Sequence, residues 1–315
     1  MAKKVMKFKF IDLFAGVGGM RLAFERAGAE CVFSSEWDPH SQKTYEANFG
    51  EVPQGDITKI DAKMIPEFQI LLAGFPCQPF STIGKRQGFE HATQGTLFYD
   101  VLRILKKKNT PAFLLENVSG LISHDGGNTF STIVASLESA GYKLSHKVLD
   151  SAEYGLPQHR RRIYIVGFKS KLFEKNPNFE WPKPNPRKVF INRFVETNVV
   201  GHSISKHLQK TYIYKIDDGR PQIIDKTTRI QVKTLVSTYH KIQRLTGTFV
   251  RDGETGLRLL TANECKAIMG FPKSFKMPVS RTQMYRQMGN SVAVPVVSAI
   301  AESMIHSMKR AKLKK

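Results

Sequence analysis

FKFIDLFAGVGGMRLAFERAG, residues 8–28, is the stretch that decides the fold. Its first part, Phe8–Phe14, is an apolar run of strand length, and its last part, Met20–Ala27, has helical spacing and stops at Gly28. Between them Gly16, Gly18 and Gly19 permit a tight turn and close backbone approach to a ligand. Folds that bind NAD, FAD or S-adenosylmethionine all use such a turn, and a purely structural turn needs the same residues. About twenty residues further on, Glu36 closes a second strand, where a ribose-diol ligand is expected. Trp37 beside it offers a ring to stack on adenine, although Glu36–Trp37–Asp38 also reads as an ordinary strand end.

Outward from this unit the pattern repeats. Strands are predicted at Cys31–Glu36, Gln69–Phe75, Ala112–Val118, Lys143–Asp150 and Arg161–Phe168, with helices near His40–Phe49, Thr96–Lys108 and Asn128–Ala140. This alternation predicts an α/β fold with a doubly wound, mostly parallel sheet. At residues 176–188, NPNFEWPKPNPRK, four prolines forbid regular helix and favour an extended linker. Residues 189–257 then form a basic stretch rich in Thr, Tyr, Ile and Val, which reads as a smaller, mostly β or irregular lobe. After it come a helix in TANECKAIMGF, with Thr261 and Glu264 spaced as a capping box, and a closing helix after Pro295. The expected division is 1–175 for a ligand-binding domain, 189–257 for the lobe, and 258–315 for a C-terminal segment whose last helix returns to the first domain.

Composition narrows the partners. The 315 residues carry a formal net charge of +21, more than solubility requires, which makes nucleic acid the first candidate. A generally basic surface is the alternative, but the charge is concentrated: residues 169–251 hold 17 Lys and Arg against 6 Asp and Glu. Three widely spaced cysteines, Cys31, Cys77 and Cys265, indicate neither a disulfide framework nor a metal site. No run approaches the ~18 apolar residues of a membrane span and the start lacks a signal-peptide pattern, so a cytoplasmic protein without a membrane partner is expected.

Three further blocks carry chemistry. GFPCQPFS at 74–81 follows the strand QILLA and sets Cys77 on a loop at the carboxyl edge of the sheet, where open α/β folds bind ligands. A lone cysteine is commonly a small buried hydrophobe, so this address alone does not make it a nucleophile. ENV at 116–118 brings Glu116 to the same edge, beside Cys77 if their strands are neighbours. QHRRRIYIVGF at 158–168 places Arg160 and Arg162 on one face of a strand start, with Arg161 opposite; this is either a surface patch or a clamp for anions.

These blocks, with RLLTANECKAIMGFP at 258–272 and QMGNSVAVPVV at 287–297, resemble in content and order the DNA (cytosine-5) methyltransferase family of bacterial restriction–modification type. The resemblance covers nearly the whole chain outside 170–257. It implies a Rossmann-like fold binding S-adenosylmethionine, with S-adenosylhomocysteine as product and no metal. It implies that Cys77 adds to carbon 6 of a flipped-out cytosine, that Glu116 holds or protonates ring nitrogen 3, and that Arg162 and Arg160 orient the base. Carried over in the same way, Phe14, Gly16, Gly18, Gly19, Glu36, Trp37, Asp56, Ile57, Pro76, Asn290 and Ser291 would form the cofactor site. Ser81, Lys85 and Arg86 would meet DNA, and the lobe would choose the target, with Thr234 of the Thr234–Leu235 pair in its recognition stretch. Gln243 and Arg244 there are of the types that make bidentate contacts to bases, though a phosphate-binding or folding role fits them equally.

The implied partner is double-stranded DNA, met by a monomer that works alongside a cognate restriction endonuclease. One departure stands out: after GKRQGF the family commonly continues with an acidic residue and Arg-Gly, whereas this chain has EHATQG. A transfer-RNA methylase shares the block order but has Thr where this chain has Ser81. A Rossmann oxidoreductase explains only the glycine turn, and an inactive DNA-binding module explains only the charge.

Overall fold

The structure, a computed structural model, describes residues 7–76 and 97–314. Cys77, Ser81, Lys85 and Arg86 lie outside the described residues. A six-stranded sheet in the order β2-β1-β3-β4-β6-β5 organises the molecule. Its strands are β1 (Lys9–Leu13), β2 (Glu30–Ser35), β3 (Ile70–Ala73), β4 (Ala112–Val118), β5 (Lys143–Asp150) and β6 (Arg161–Phe168), each within two residues of its predicted bounds. β1 pairs in parallel with β2 and β3, and β3 with β4, whereas β6 runs antiparallel to both β4 and β5.

Helices cover both faces: α1 (Gly19–Arg26), α2 (Pro39–Phe49), α3 (Leu97–Lys107) and α4 (Asn128–Ser139). The continuous apolar strands suit this two-sided burial, because successive side chains point to opposite faces. Thus Phe10, Leu72, Leu114 and Val166 join one core, while Ile11, Leu71, Leu115 and Ile165 join the other.

The basic stretch after the prolines is mainly irregular. It contains a short helical turn, α5 (Lys206–Leu208), continued by wider turns through Ile213, and a two-stranded parallel pair, β7 (Gln222–Ile224) with β8 (Thr248–Val250). Its apolar side chains, among them Ile204, Ile224, Leu235 and Phe249, belong to the same buried cluster as Phe10 and Leu72 of the sheet. The proline segment therefore marks a change of character without separating two cores.

The C-terminal region has three helices, α6 (Ala262–Met269), α7 (Arg281–Asn290) and α8 (Val294–Ala311). α6 starts with the expected capping box: Glu264 N donates to Thr261 Oγ1 at 3.2 Å and Thr261 N to Glu264 Oε2 at 2.7 Å. α8 is apolar because it is a core helix packed on α1, and Phe173 and Leu313 form a bridge beyond its end. α7 was not foreseen; its few apolar positions, Met284, Tyr285 and Met288, hide the helical period, yet Ser280 caps it through Gln283 N.

Arg258, fully buried, joins lobe and α6. It forms a two-pronged ion pair with Glu264 at 2.9 Å on each prong, meets Asp252 at 2.9 Å, and donates to the carbonyl of Glu196 at 2.7 Å. Arg258→Met leaves the Glu264 carboxylate buried without its counter-charge, so the unfolding free energy should fall by about 3–5 kcal/mol in urea titrations. A loss under about 1 kcal/mol would show that the pair does not hold these elements together.

Candidate active site

Strand direction assembles the site. β1, β3 and β4 run in parallel, so Phe14, Gly74 and Glu116 emerge at one edge of the sheet. β6 runs the other way, so its beginning reaches that same edge, with Arg162 paired opposite Val118. The result is a cleft of about 1550 Å³. Phe14, Gly16, Glu36, Trp37, Asp56 and Pro76 line one part of it, and Glu116, Arg160, Arg162, Asn290 and Ser291 another.

The glycine turn is held by the residue at the end of β2. Glu36 accepts from Gly16 N through Oε2 and from Asp38 N through Oε1, both at 2.8 Å. Burial raises its pKa, and these amides partly offset that. Phe14 and Gly16 both have φ of 55°, and a Cβ at Gly16 would meet nothing within 4 Å, so this stretch of backbone faces the open cleft. The other two glycines do different work. A Cβ on Gly18 would lie 2.3 Å from the Phe49 ring, and one on Gly19 would lie 2.8 Å from Ser291 Oγ. Gly19 borders the cleft, whereas Gly18 packs against the Phe49 ring. Trp37 presents its ring at 76% exposure, Ile57 is a buried part of the wall, and Asp56 caps the following turn through Thr58 N at 3.0 Å.

At the other end of the cleft, Glu116 is 12% exposed and lies 3.2 Å from Arg162 Nε. Burial raises its pKa, and the charges of Arg162 and Arg160 only partly offset this. Asn117, one residue on, donates to the Phe75 carbonyl at 3.0 Å and so pins the backbone two residues before Cys77. The sequence reading missed this role, although the ENV block contains the residue.

Arg160 and Arg162 share a face as expected, but they do different things. Arg160 is 3% exposed and donates to the carbonyls of Leu235 at 3.1 Å, Gly289 at 3.0 Å and Ser291 at 2.6 Å. Burial, with the neighbouring Arg162 charge, pushes its pKa down to about 10. Its two terminal nitrogens thus form a structural tie, whereas its Nε is buried without a partner among the described residues in the wall of the cleft. Gln158 reinforces the tie, accepting from Leu235 N at 2.6 Å and donating to the Ile268 carbonyl at 2.9 Å.

Of the residues expected to meet DNA, the described ones, Thr234, Gln243 and Arg244, fall outside the cleft. Thr234 donates to the His159 carbonyl at 2.6 Å, which docks the Thr-Leu pair on the QHRRR segment. Gln243 accepts from Thr238 and Thr246 at 3.2 and 3.1 Å. Arg244 is buried, bonded to the carbonyls of Ile213 and Ile216 and paired with Asp218. These bonds hold the lobe together, so the bidentate base contact expected of Arg244 does not fit its placement. Among the described residues no cluster of His, Cys, Asp and Glu is arranged to hold a metal ion.

A ligand cleft at the carboxyl edge of such a sheet defines a Rossmann-like fold, and solved methyltransferase structures share it. The fold matches a mutant form of DNMT2 of Spodoptera frugiperda with a TM-score of 0.76 at 23% identity, covering 95% of this chain and 100% of that one. It also matches a putative DNA modification methyltransferase of Escherichia coli with a TM-score of 0.74 at 19% identity, covering 96% of this chain and 100% of that one. Sequence goes further. The model of the C-5 cytosine-specific DNA methylase family matches residues 8–306, and the chain belongs to that family. It is 62% identical over 302 residues to the type II methyltransferase M.MspI of Moraxella sp, covering 96% of this chain and 71% of the relative. It is 59% identical over 300 residues to the type II methyltransferase M.BsuFI of Bacillus subtilis, covering 95% and 73%. The activity is that of a DNA (cytosine-5) methyltransferase.

The role of Arg160 as a tie is open to test. Arg160→Lys keeps the charge but loses the planar fork, so it should lower stability by roughly 1–3 kcal/mol in chemical denaturation. Stability equal to the parent's would show that the three carbonyls do not depend on the fork.

Proposed function

We propose that the chain transfers a methyl group from S-adenosylmethionine to carbon 5 of a cytosine flipped out of a specific double-stranded DNA sequence, through a covalent adduct with Cys77. The observation that carries this reading is the placement of Glu116: a largely buried carboxyl of raised pKa, held by Arg162, at the edge where Gly74–Pro76 leads toward Cys77. Extruding the base costs roughly a few kcal/mol of unstacking and unpairing, which contacts in the cleft must offset.

The residues present fit the cofactor. Glu36 retains lone pairs for ribose hydroxyls, Trp37 offers an open ring, and the Phe14–Gly16 backbone lies bare beside the N-terminus of α1. Asp56, Ile57, Pro76, Asn290 and Ser291 complete the wall. S-adenosylmethionine, when bound, supplies an electrophilic sulfonium methyl.

The Cys77 thiolate forms a bond to carbon 6 of the ring. Glu116 delivers its proton to nitrogen 3, so the added electron pair is not left as charge on the ring and carbon 5 becomes nucleophilic. This divides a substitution at an unreactive carbon into easier steps. Arg162 keeps the carboxyl aimed at the ring. After carbon 5 is methylated, its proton passes to water, the thiolate departs from carbon 6, and the nitrogen 3 proton returns to Glu116, which restores the aromatic base.

Residues 1–175 do this chemistry, 189–257 choose the sequence, and 258–315 close the cofactor pocket. Relatives named as type II methyltransferases support a cytoplasmic, DNA-associated protein working beside a cognate restriction endonuclease, and we read it as a monomer.

Cys77→Ser should abolish transfer while leaving S-adenosylmethionine binding intact, because an alkoxide is scarce near neutral pH and a thiolate is not. Duplex DNA containing 5-fluorocytosine should trap the parent in a denaturation-resistant complex and not the variant; an adduct that survives removal of this sulfur overturns the assignment. Glu116→Gln should slow the single-turnover rate by roughly 100-fold or more and weaken base binding much less. The raised pKa sets a sign: the proton is retained above the usual carboxyl range and lost as pH rises further, so the parent's rate should lose this contribution toward high pH. The variant's rate should lack that dependence, and an unchanged rate removes Glu116 from the mechanism.

A further inference from the structure

The charged groups of the cleft are nearly all engaged. Among the described residues, each of its six carboxylates, Asp12, Glu36, Asp38, Asp56, Asp100 and Glu116, has a partner within the protein. Of the three cations among the described residues, Arg160 is committed to carbonyls, and Arg162 to Glu116 and the Arg161 carbonyl. Arg286 is the third. It lines the cleft, is exposed, and makes no hydrogen bond or ion pair among the described residues.

Its position on α7 adds a second argument. On one side of this helix Gln287 accepts from Thr44 of α2 at 2.9 Å. On another, a Cβ at Gly289 would stand 2.2 Å from the backbone nitrogen of Ser237 in the lobe, so helix and lobe are in direct contact. Arg286 and Asn290, four residues apart, share the remaining face. That face looks into the cleft at the place where the catalytic part and the lobe meet.

We propose that Arg286 binds a backbone phosphate of the nucleotide carrying the target cytosine. The inference rests on the reading that the cytosine is flipped, and it adds a residue to that reading. A nucleotide that leaves the stack turns about its own backbone, so the phosphates on either side of it stay at the mouth of the cleft while the base goes in. A polyanion laid across this mouth meets an exposed guanidinium that has no internal acceptor. Arginine suits the task, because its fork pairs with two phosphate oxygens and remains charged.

The experiment uses the full chain and a duplex containing the site mapped by bisulfite sequencing of DNA from cells expressing it. Arg286→Gln should weaken duplex binding about tenfold and make the plot of log affinity against log salt shallower by about one unit, while Arg286→Lys should keep the parental slope. A single methylphosphonate beside the target cytosine should weaken binding by the parent and leave Arg286→Gln unaffected. An unchanged slope in Arg286→Gln, or equal sensitivity of both proteins to the methylphosphonate at every tested position, overturns the proposal. Loss of S-adenosylmethionine affinity with duplex binding intact also overturns it and assigns the cation to the cofactor. Methyl transfer and 5-fluorocytosine trapping by the parent on the unmodified duplex test the underlying reading separately.

Discussion

The buried guanidinium of Arg160 is the interaction on which the rest of the molecule depends. A charge taken out of water is tolerated only when its donors find acceptors. Here they come from Leu235, 75 residues along the chain, and from Gly289 and Ser291, 129 and 131 residues along. One side chain at the start of β6 thus fixes the lobe and the C-terminal segment against the sheet. Gln158 and Thr234 close the same junction from either side. The placement of the lobe against the sheet follows from this knot.

Electrostatics in the cleft follow from the direction of one strand. Had β6 run parallel to β4, its beginning would lie at the far edge of the sheet and Glu116 would have no guanidinium beside it. The reversal brings Arg162 to 3.2 Å from a carboxyl that burial is pushing toward its neutral form. The cation offsets part of the desolvation, so the carboxyl's pKa is raised less than burial alone would raise it. Glu36 meets the same problem by another route, accepting from two backbone amides.

Much of this was legible in the sequence because it depends on local pattern. Strands buried on both faces, such as β4 and most of β6, are continuous apolar runs, and both occupy their predicted residues. The capping box at Thr261 and Glu264 is likewise a short-range signal. What the pattern could not convey was partnership across long separations. Parity along a strand places Arg160 and Arg162 together but cannot say that one meets carbonyls of the lobe and the other a carboxylate. Arg244 looked like a base reader because its type allows it, yet Asp218 and two carbonyls hold it inside. Gly18 looked like part of a ligand turn, and its small size is required by Phe49 of α2. α7 escaped notice because few of its residues are apolar, although the Ser280 cap was readable.

The junction between lobe and sheet has a property that bears on how such a protein can change. Arg160 and Thr234 donate to main-chain carbonyls, Gln158 accepts from a main-chain amide, and Gly289 packs against main chain at 236–237. A latch that grips backbone asks little of the side chains on the gripped segment. The outer residues of the lobe can therefore be rewritten without loosening its seat. Under the proposed division of labour, new targets become accessible by mutation while the catalytic geometry is inherited intact.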